Sequence, residues 1–179
     1  MVMMKNRAKT TALLNYDAAN HCMMFKQGND QLILTNVASV DTIYIENRRF
    51  FPIKNHFFFE CVPCTHGTVY VNWSLRSKYQ GKKGAYGQVS HAINVENINT
   101  SYWTNNSYEK ESPDVYEQEN NNEYWLKLNG KFVNCKNKKT LMKLFPEHQT
   151  EIDEYIKSKK VDFSKTIHVL SLLDYCMGL

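Results

Sequence analysis

No stretch of this chain approaches the ~18 successive apolar residues of a membrane-spanning helix, so the folded part is expected to be soluble. The start, Met1-Val-Met-Met-Lys-Asn-Arg, is not followed by the apolar run of about 7–15 residues that marks a signal peptide. The expectation is either a cytoplasmic protein or the processed part of a longer precursor. Cysteine is scarce: Cys22, Cys61, Cys64, Cys135 and Cys176 are too few and too dispersed for a disulfide scaffold. Their odd number leaves at least one thiol without an intramolecular partner. Strong charge of one sign is missing too, with a net +4 and a pI near 8.7. Residues 1–87 hold 11 Lys/Arg against 5 acids, 88–121 hold 1 against 6, and 122–179 hold 10 against 7. That excess is scattered over strand and loop candidates and not gathered on one element, which reads as a solvated surface and weighs against nucleic acid as a partner. No helix-length periodic segment interrupts the first half, which argues against a parallel βαβ sheet.

What is present is β structure. The 179 residues suffice for one ordinary domain or two small ones sharing a core. Eleven Tyr and nine Phe offset an apolar fraction of 42%. Thr10–Tyr16 and Cys22–Lys26 flank Asp17-Ala-Ala-Asn20, and Gln27-Gly-Asn-Asp30 leads into Leu32–Val37. Thr42–Glu46, Arg49–Ile53, Phe57–Val62 and Thr68–Trp73 continue the series with turn signals between them. Such spacing predicts an antiparallel meander, roll or sandwich over residues 8–93. Gly81-Lys-Lys-Gly-Ala-Tyr-Gly87 reads as a flexible loop. Residues 94–122 hold five Asn between Asn105 and Asn122 and a Ser112-Pro113 break, a composition that cannot order itself alone. Aromatics are expected to pin this excursion to the body, and Tyr102, Trp103 and Tyr108 are its candidate binding surface.

Residues 123–179 speak most clearly. Tyr124–Leu128 and Lys131–Cys135 flank Asn129-Gly130, the strongest short-range hairpin signal. Asn137 is placed to cap Lys138–Leu144, with Leu141, Leu144 and Phe145 inward. Pro146 ends that helix and suits the start of the next, Glu147–Lys159, which buries Ile152, Tyr155 and Ile156. Asp162 or Ser164 is expected to cap a last helix with Ile167, Leu170, either Leu173 or Asp174, and Met177 along its stripe, ended by Gly178. The fold class is therefore α+β: an antiparallel β body, then a β-hairpin and a three-helix C-terminal segment, in one continuous core.

Lys9 to Phe59, Gly84 to Gln88 and Trp125 to Tyr175 carry a family resemblance. The residues are Thr11-Ala-Leu-Leu-Asn-Tyr-Asp17, Met24-Phe-Lys-Gln-Gly28, Val40-Asp-Thr-Ile-Tyr-Ile45 and Arg49-Phe-Phe-Pro-Ile-Lys-Asn55. Gly84-Ala-Tyr-Gly87, Lys143-Leu-Phe-Pro146, Ile156-Lys and Val161-Asp-Phe163 complete them. With these the chain resembles uncharacterised exported proteins of Bacteroidetes-type bacteria, with a β-rich body and a Lys-rich helical tail. The resemblance implies a secretory precursor, a periplasmic or outer-envelope location and no assigned activity. The chain departs from that pattern in showing no signal segment.

Among candidate chemistries, Cys61-Val-Pro-Cys64 with His66, and His56 beside it, can chelate zinc or shuttle electrons through a dithiol. A second ligand pair is missing and the pair follows a strand, so two thiols at a strand end, or a local disulfide, is the competing reading. Gly81, Gly84 and Gly87 with Lys82 and Lys83 can cradle phosphate, but the Walker spacing is absent and a surface turn explains them. His21, His91, His148 and His168 show no ligand spacing, and Ser90-His91 lacks a nucleophile-elbow context. Arg48, Arg49, Lys54 and Arg76 interleave with Phe50, Phe51, Phe58, Tyr70 and Trp73. That is either a stacking platform for single-stranded nucleic acid or an alternation that buries rings and leaves cations in water. Asp41-Thr42-Ile43 fits a short acceptor pattern for O-linked sugar. No catalytic residue, cofactor or metal site is assigned, and a non-enzymatic role in binding protein, glycan or the cell surface is the expectation.

Overall fold

Turn residues fall at nearly every strand boundary, and the strands they separate alternate apolar with polar side chains, so the chain folds back on itself repeatedly. The computed structural model describes residues 1–53, 57–83, 89–90, 114–135 and 137–179. Two compact units divide it: residues 1–75 with 120–179, and residues 76–119.

The first unit begins with β1 (Val2–Met4), β2 (Lys9–Thr10), β3 (Leu13–Asp17), β4 (Cys22–Gln27) and β5 (Asp30–Ile33). A 3-10 turn at Val37–Ser39 leads to β6 (Val40–Ile45), β7 (Arg48–Ile53), β8 (Phe57–Pro63) and β9 (Thr68–Asn72). Then β10 (Leu75–Lys83), β11 (Val89–Ser90) and β12 (Asp114–Asn120) make a three-stranded sheet of order β11-β10-β12. The chain returns through β13 (Glu123–Leu128) and β14 (Lys131–Asn134) to three helices, α1 (Lys138–Leu144), α2 (Gln149–Ser158) and α3 (Thr166–Met177). The result is an α+β fold of antiparallel sheets with its helices near the C-terminus.

Eight strands form one sheet in the order β14-β13-β9-β8-β7-β6-β1-β2, every neighbour antiparallel. A cross-strand row runs Val2, Ile43, Phe50, Glu60, Val71, Tyr124. Because side chains alternate across a sheet, this row and its second neighbours share one face. Two layers cover that face. Under β9 and β13, Val69, Val71, Tyr124 and Leu126 pack with Leu141, Ile152, Val169, Leu172, Leu173 and Cys176 from the helices. Under β6–β8, Ile43, Phe50 and Phe58 pack with Met23 of the separate sheet β3-β4-β5. Trp73 borders both clusters.

Local chemistry explains the connections. Asn129 and Gly130 both have positive φ (48° and 77°), the geometry of a two-residue turn matched to strand twist. Asn137 caps α1 by accepting from the Thr140 N–H at 3.0 Å. Gly67, in the β8–β9 turn, lies so close to α3 that a Cβ there would sit 2.7 Å from the Met177 sulfur.

Several expectations are corrected. Gly81–Lys83 belong to β10 and are not part of a loop, because the strand continues until its pairing with β11 at Lys82 and Lys83. Asp114–Asn120, placed in the excursion, is strand β12. Neither Asp162 nor Ser164 caps α3: Lys165 holds that position, and the Asp162 carboxylate accepts from the Ser164 N–H and hydroxyl in a turn one step earlier. The buried stripe of α3 is Val169, Leu172, Leu173 and Cys176, whereas Ile167 is 67% exposed. Eight of that helix's twelve residues are apolar, so two overlapping stripes satisfy the periodicity and only packing selects one.

Candidate functional site

The open end of the β13–β14 hairpin is where polar side chains converge. A hairpin closed by Asn129-Gly130 brings Asn121–Tyr124 beside Asn134–Cys135, and the Cys135 N–H donates to the Tyr124 carbonyl at 2.7 Å. The segment Val161–Lys165 and the first turns of α3 lie against that end. Between them is a cavity of about 210 Å³. Its buried floor is Tyr124, Cys135 and Val169, Phe163 is a half-buried wall, and Asn121 and Glu123 are exposed at the rim. Asn122 and Asn134 complete the lining.

The amides there are held by a hydrogen-bond seam. Asn122 Oδ1 accepts from the Ser74 N–H at 3.0 Å, and its Nδ2 donates to Thr166 Oγ1 at 3.2 Å. The Tyr124 hydroxyl donates to the same Thr166 oxygen at 3.0 Å. Asn121 anchors by its backbone N–H to the Ser74 carbonyl and by Nδ2 to Ser74 Oγ. Asn134 differs: its Oδ1 is buried without a hydrogen-bond partner among the described residues. A buried acceptor left unpaired costs about 1–3 kcal/mol, and with no accessible surface this oxygen does not open onto the cavity. The Cys135 thiol is pushed up to about 12 by burial, so it is neutral at ordinary pH and not a nucleophile. Among the described lining residues there is one carboxylate and no cation.

Ser74 also meets His21, Oγ to Nε2 at 3.2 Å. Among the described residues that is the nearest approach to a hydrolytic dyad, yet His21 Nδ1 is buried with no partner among them, so none of them orients the ring as a third group. The Asp17 carboxylate is engaged by its own turn, accepting from the Ala19 and Asn20 N–H groups and from Asn20 Nδ2. Those Asn20 bonds hold Asp17 below the usual carboxylate range. Ser74 is itself only 1% exposed. The pair fastens the β3–β4 connection to the sheet, as does Tyr16, whose hydroxyl donates to the Trp73 carbonyl at 2.9 Å and is pushed up to about 12 by burial.

The cysteine constellation is taken apart by the register. Cys61 is opposite Tyr70, with Arg49 Nη2 3.3 Å from its sulfur, and burial raises its thiol. Cys64 turns its sulfur toward the Val62 carbonyl. His66 faces α3 instead: its N–H donates to Asp174 Oδ1 at 2.7 Å, and its Nδ1 is 3.2 Å from the same oxygen. All five cysteines are free thiols, and no group of three or more His, Cys, Asp or Glu among the described residues is arranged to hold a metal. His56 lies outside the described residues.

The interleaved base and aromatic residues separate onto two faces. Phe50 and Phe58 are in the core, while Arg48 makes a two-pronged contact with buried Glu60 (2.9 and 2.6 Å), which also accepts from Trp73 Nε1. Arg76 pairs with Glu119. On the opposite face Phe51, Tyr70 and Phe132 meet edge to edge or tilted, with Lys127 over the Phe132 ring at 5.6 Å. Beneath them are Ile53, Phe59 and Trp125. Thr42 is in the middle of β6, its hydroxyl donating to Asp41. His148 is paired with Glu151, and His168 Nδ1 accepts from the Asp162 N–H. Tyr102, Trp103, Tyr108, Lys54, His91 and Gly84–Gly87 lie outside the described residues.

Sequence reasoning missed the Asn cavity entirely. Asn121 and Asn122 read as the end of a polar excursion and Asn134 as an ordinary strand residue. The one available signal was the hairpin register, which sets residues 121–124 beside 134–135.

No protein-family model matches the chain, and no curated protein or solved structure matches it. Among the described residues no helix is long and apolar enough to cross a membrane.

Proposed function

We propose that this is a non-catalytic binding protein of the cell envelope, exported in a longer precursor form, which takes a small polar ligand at the open end of the β13–β14 hairpin. The observation that carries the binding reading is a cavity of about 210 Å³ lined by Asn121, Asn122 and Asn134, the first two with side chains held in place by hydrogen bonds to Ser74 and Thr166. Preorganised donors and acceptors around a small concave volume are what a binding site requires. The location rests on the resemblance to exported proteins of Bacteroidetes-type bacteria.

Protein-observed NMR with mixtures of small polar compounds tests the binding. The side-chain amides of Asn121, Asn122 and Asn134 are expected to shift together with at least one mixture. Shifts confined to other parts of the chain would place the site elsewhere. Fractionation of the source cells tests the location, and recovery from the cytoplasm alone would remove it.

A second reading has one specific observation behind it. Phe51, Tyr70 and Phe132 with Lys127 make a basic aromatic cluster on one sheet face, the chemistry of a single-strand stacking platform. Two of the four basic residues named for it are engaged elsewhere, Arg48 by Glu60 and Arg76 by Glu119. Oligonucleotide affinity falling steeply with salt, and lost on Phe132→Ala, would favour this second reading.

A further inference from the structure

We infer that two copies of this chain associate edge to edge through β5, an antiparallel pairing that joins the sheet β3-β4-β5 to its own copy. Asp30–Ile33 is an edge strand of that sheet, and all four of its residues are exposed. Among the described residues nothing pairs with its free side. Open edges template further pairing, and proteins blunt them with short strands, lysine, proline or bulges. Other edges of the first unit are blunted or tied down. β2 is two residues long and begins with Lys9, and β14 begins with Lys131. β3 is held through Tyr16, whose hydroxyl donates to the Trp73 carbonyl. β5 holds neither Lys nor Pro, and its register against β4 runs without a bulge.

The hairpin geometry says which backbone groups are free. Gly28, at φ 62°, and Asn29 make a two-residue turn between Gln27 and Asp30. The Leu34 N–H donates to the Met23 carbonyl at 2.8 Å. Bonded residues alternate along an antiparallel strand. Asp30 and Leu32 therefore turn their backbone groups to β4, while Gln31 and Ile33 turn theirs outward. A second β5 laid antiparallel sets Gln31 opposite the second copy's Ile33, and Ile33 opposite its Gln31, each pair exchanging N–H and carbonyl in both directions.

The side chains agree with that register. It places Leu32 opposite itself. Leu14, Phe25 and Leu32 already form a cross-strand row, which stops at the open edge with Leu32 40% exposed. In the paired sheet the row continues through Leu32, Phe25 and Leu14 of the second copy, apolar throughout. On the other face Ile33, 54% exposed, gains the second copy's Gln31 as a neighbour. Charge agrees too. Asp30 is the one ionisable residue of β5, and the register sets it opposite the second copy's Leu34. The two Asp30 carboxylates are then ~13 Å apart along the strands, beyond the ~8–10 Å over which exposed charges act in salt. A parallel pairing in register would set them side by side. Because each copy uses the same strand, the pairing closes at two chains and does not propagate. One strand a side is far below the ~20–30 residues a side of a stable interface, so a dissociation constant of about 0.1–1 mM is expected.

The test is sedimentation velocity of the full chain from about 0.02 to 2 mM, where the average mass should rise toward two chains. Gln31→Pro should weaken association by about tenfold or more. Proline there removes only an outward N–H and is tolerated on an edge strand, so the β4–β5 ladder stays. Unchanged exchange protection of the Leu32 and Leu34 amides checks that it does. Leu32→Cys tests the register independently. Residues opposite each other in a non-hydrogen-bonded pair have Cα atoms ~4.5 Å apart, inside the ~4.4–6.8 Å that a disulfide spans. With oxidised glutathione, Leu32→Cys should give disulfide-linked dimer about tenfold faster than Gln31→Cys or the unsubstituted chain. A chain that stays monomeric throughout the range overturns the pairing and leaves the edge to a strand of another protein. Association that survives Gln31→Pro with the ladder intact moves the interface off β5. Faster linkage by Gln31→Cys than by Leu32→Cys overturns the register.

Discussion

The two units are held together by different chemistry. All three buried hydrophobic clusters belong to residues 1–75 and 120–179, where Phe50, Leu126, Leu141, Ile152 and Leu172 are fully enclosed. In the described part of residues 76–119 the cross-strand partners are polar and mostly exposed. Arg76 and Lys78 share Glu119, Gln80 bonds Glu117, Gln118 bonds Ser77, and Tyr79 meets Tyr116 edge-on. A fully buried aliphatic or aromatic side chain contributes ~1.5–3 kcal/mol, whereas an exposed cross-strand pair contributes ~0.2–1. Cooperative stability therefore resides in the first unit, and the second is expected to open at lower cost.

The largest effect that would sharpen this contrast comes from the core. Leu172→Ala should cost about 2–5 kcal/mol and Phe50→Ala about 3–5 kcal/mol in chemical denaturation. These residues lie under different covers of the sheet, one beneath the helices and one beneath β3-β4-β5. Because Trp73 borders both clusters, its fluorescence should report a single transition that moves with either substitution. Two separate transitions would show the covers unfolding independently and break the picture of one core.

Next is the polar staple beneath that core. Glu60 is buried and accepts from Arg48 twice and from Trp73 once. Arg48→Met leaves the carboxylate without its cation. The expected loss is about 2 kcal/mol, under the usual ~3–5 for a buried pair because the guanidinium side chain is 48% exposed and partly screened by solvent. Glu60→Gln with Arg48→Met should recover part of it. A loss no larger than that of Arg76→Met would mean Glu60 is effectively solvated.

Acid exposes a third difference. The Asp174 carboxyl is held below its usual range, first by the His66 N–H and then by hydrogen bonds from Thr65. Its folded value is thus below the unfolded one of about 3.9. Its stabilising contribution is complete above that point and disappears as pH falls through the folded value. The thermal midpoint of Asp174→Asn should lie below that of the wild type at neutral pH, and the gap should close in the acid range. A gap that stays constant with pH would show that the carboxylate's charge does not hold the β8–β9 turn on α3.

The sequence revealed most of the first unit for reasons visible in single residues. Positive φ at Asn129 and Gly130 is a local demand that sequence states outright, and so is the Asn137 cap. The α3 stripe was not legible, because its cap is made by no side chain and its apolar residues exceed one face. The cavity was hidden more deeply. Asn121, Asn122 and Asn134 acquire meaning only when hairpin register and α3 docking bring them together, and an asparagine in a strand has no periodic signature. The cysteine pair failed in the opposite way: a recognisable spacing whose members the pleat and the turn send to different neighbours.

The smallest effect tests the second unit on its own terms. Glu119, half-buried on β12, is held below its usual range by hydrogen bonds from Lys78 and then Arg76, both exposed on β10. Glu119→Gln removes the charge that both cations share, and salt should reproduce part of the effect, since pairs in water are screened. The global denaturation midpoint is expected to stay within error, because no cluster of the first unit includes these residues. Amide exchange should change locally instead: the β10 and β12 N–H groups should exchange faster, while those of β8 and β9 keep their wild-type protection. If β8 and β9 lose protection in parallel, the two units open as one and the contrast between them fails.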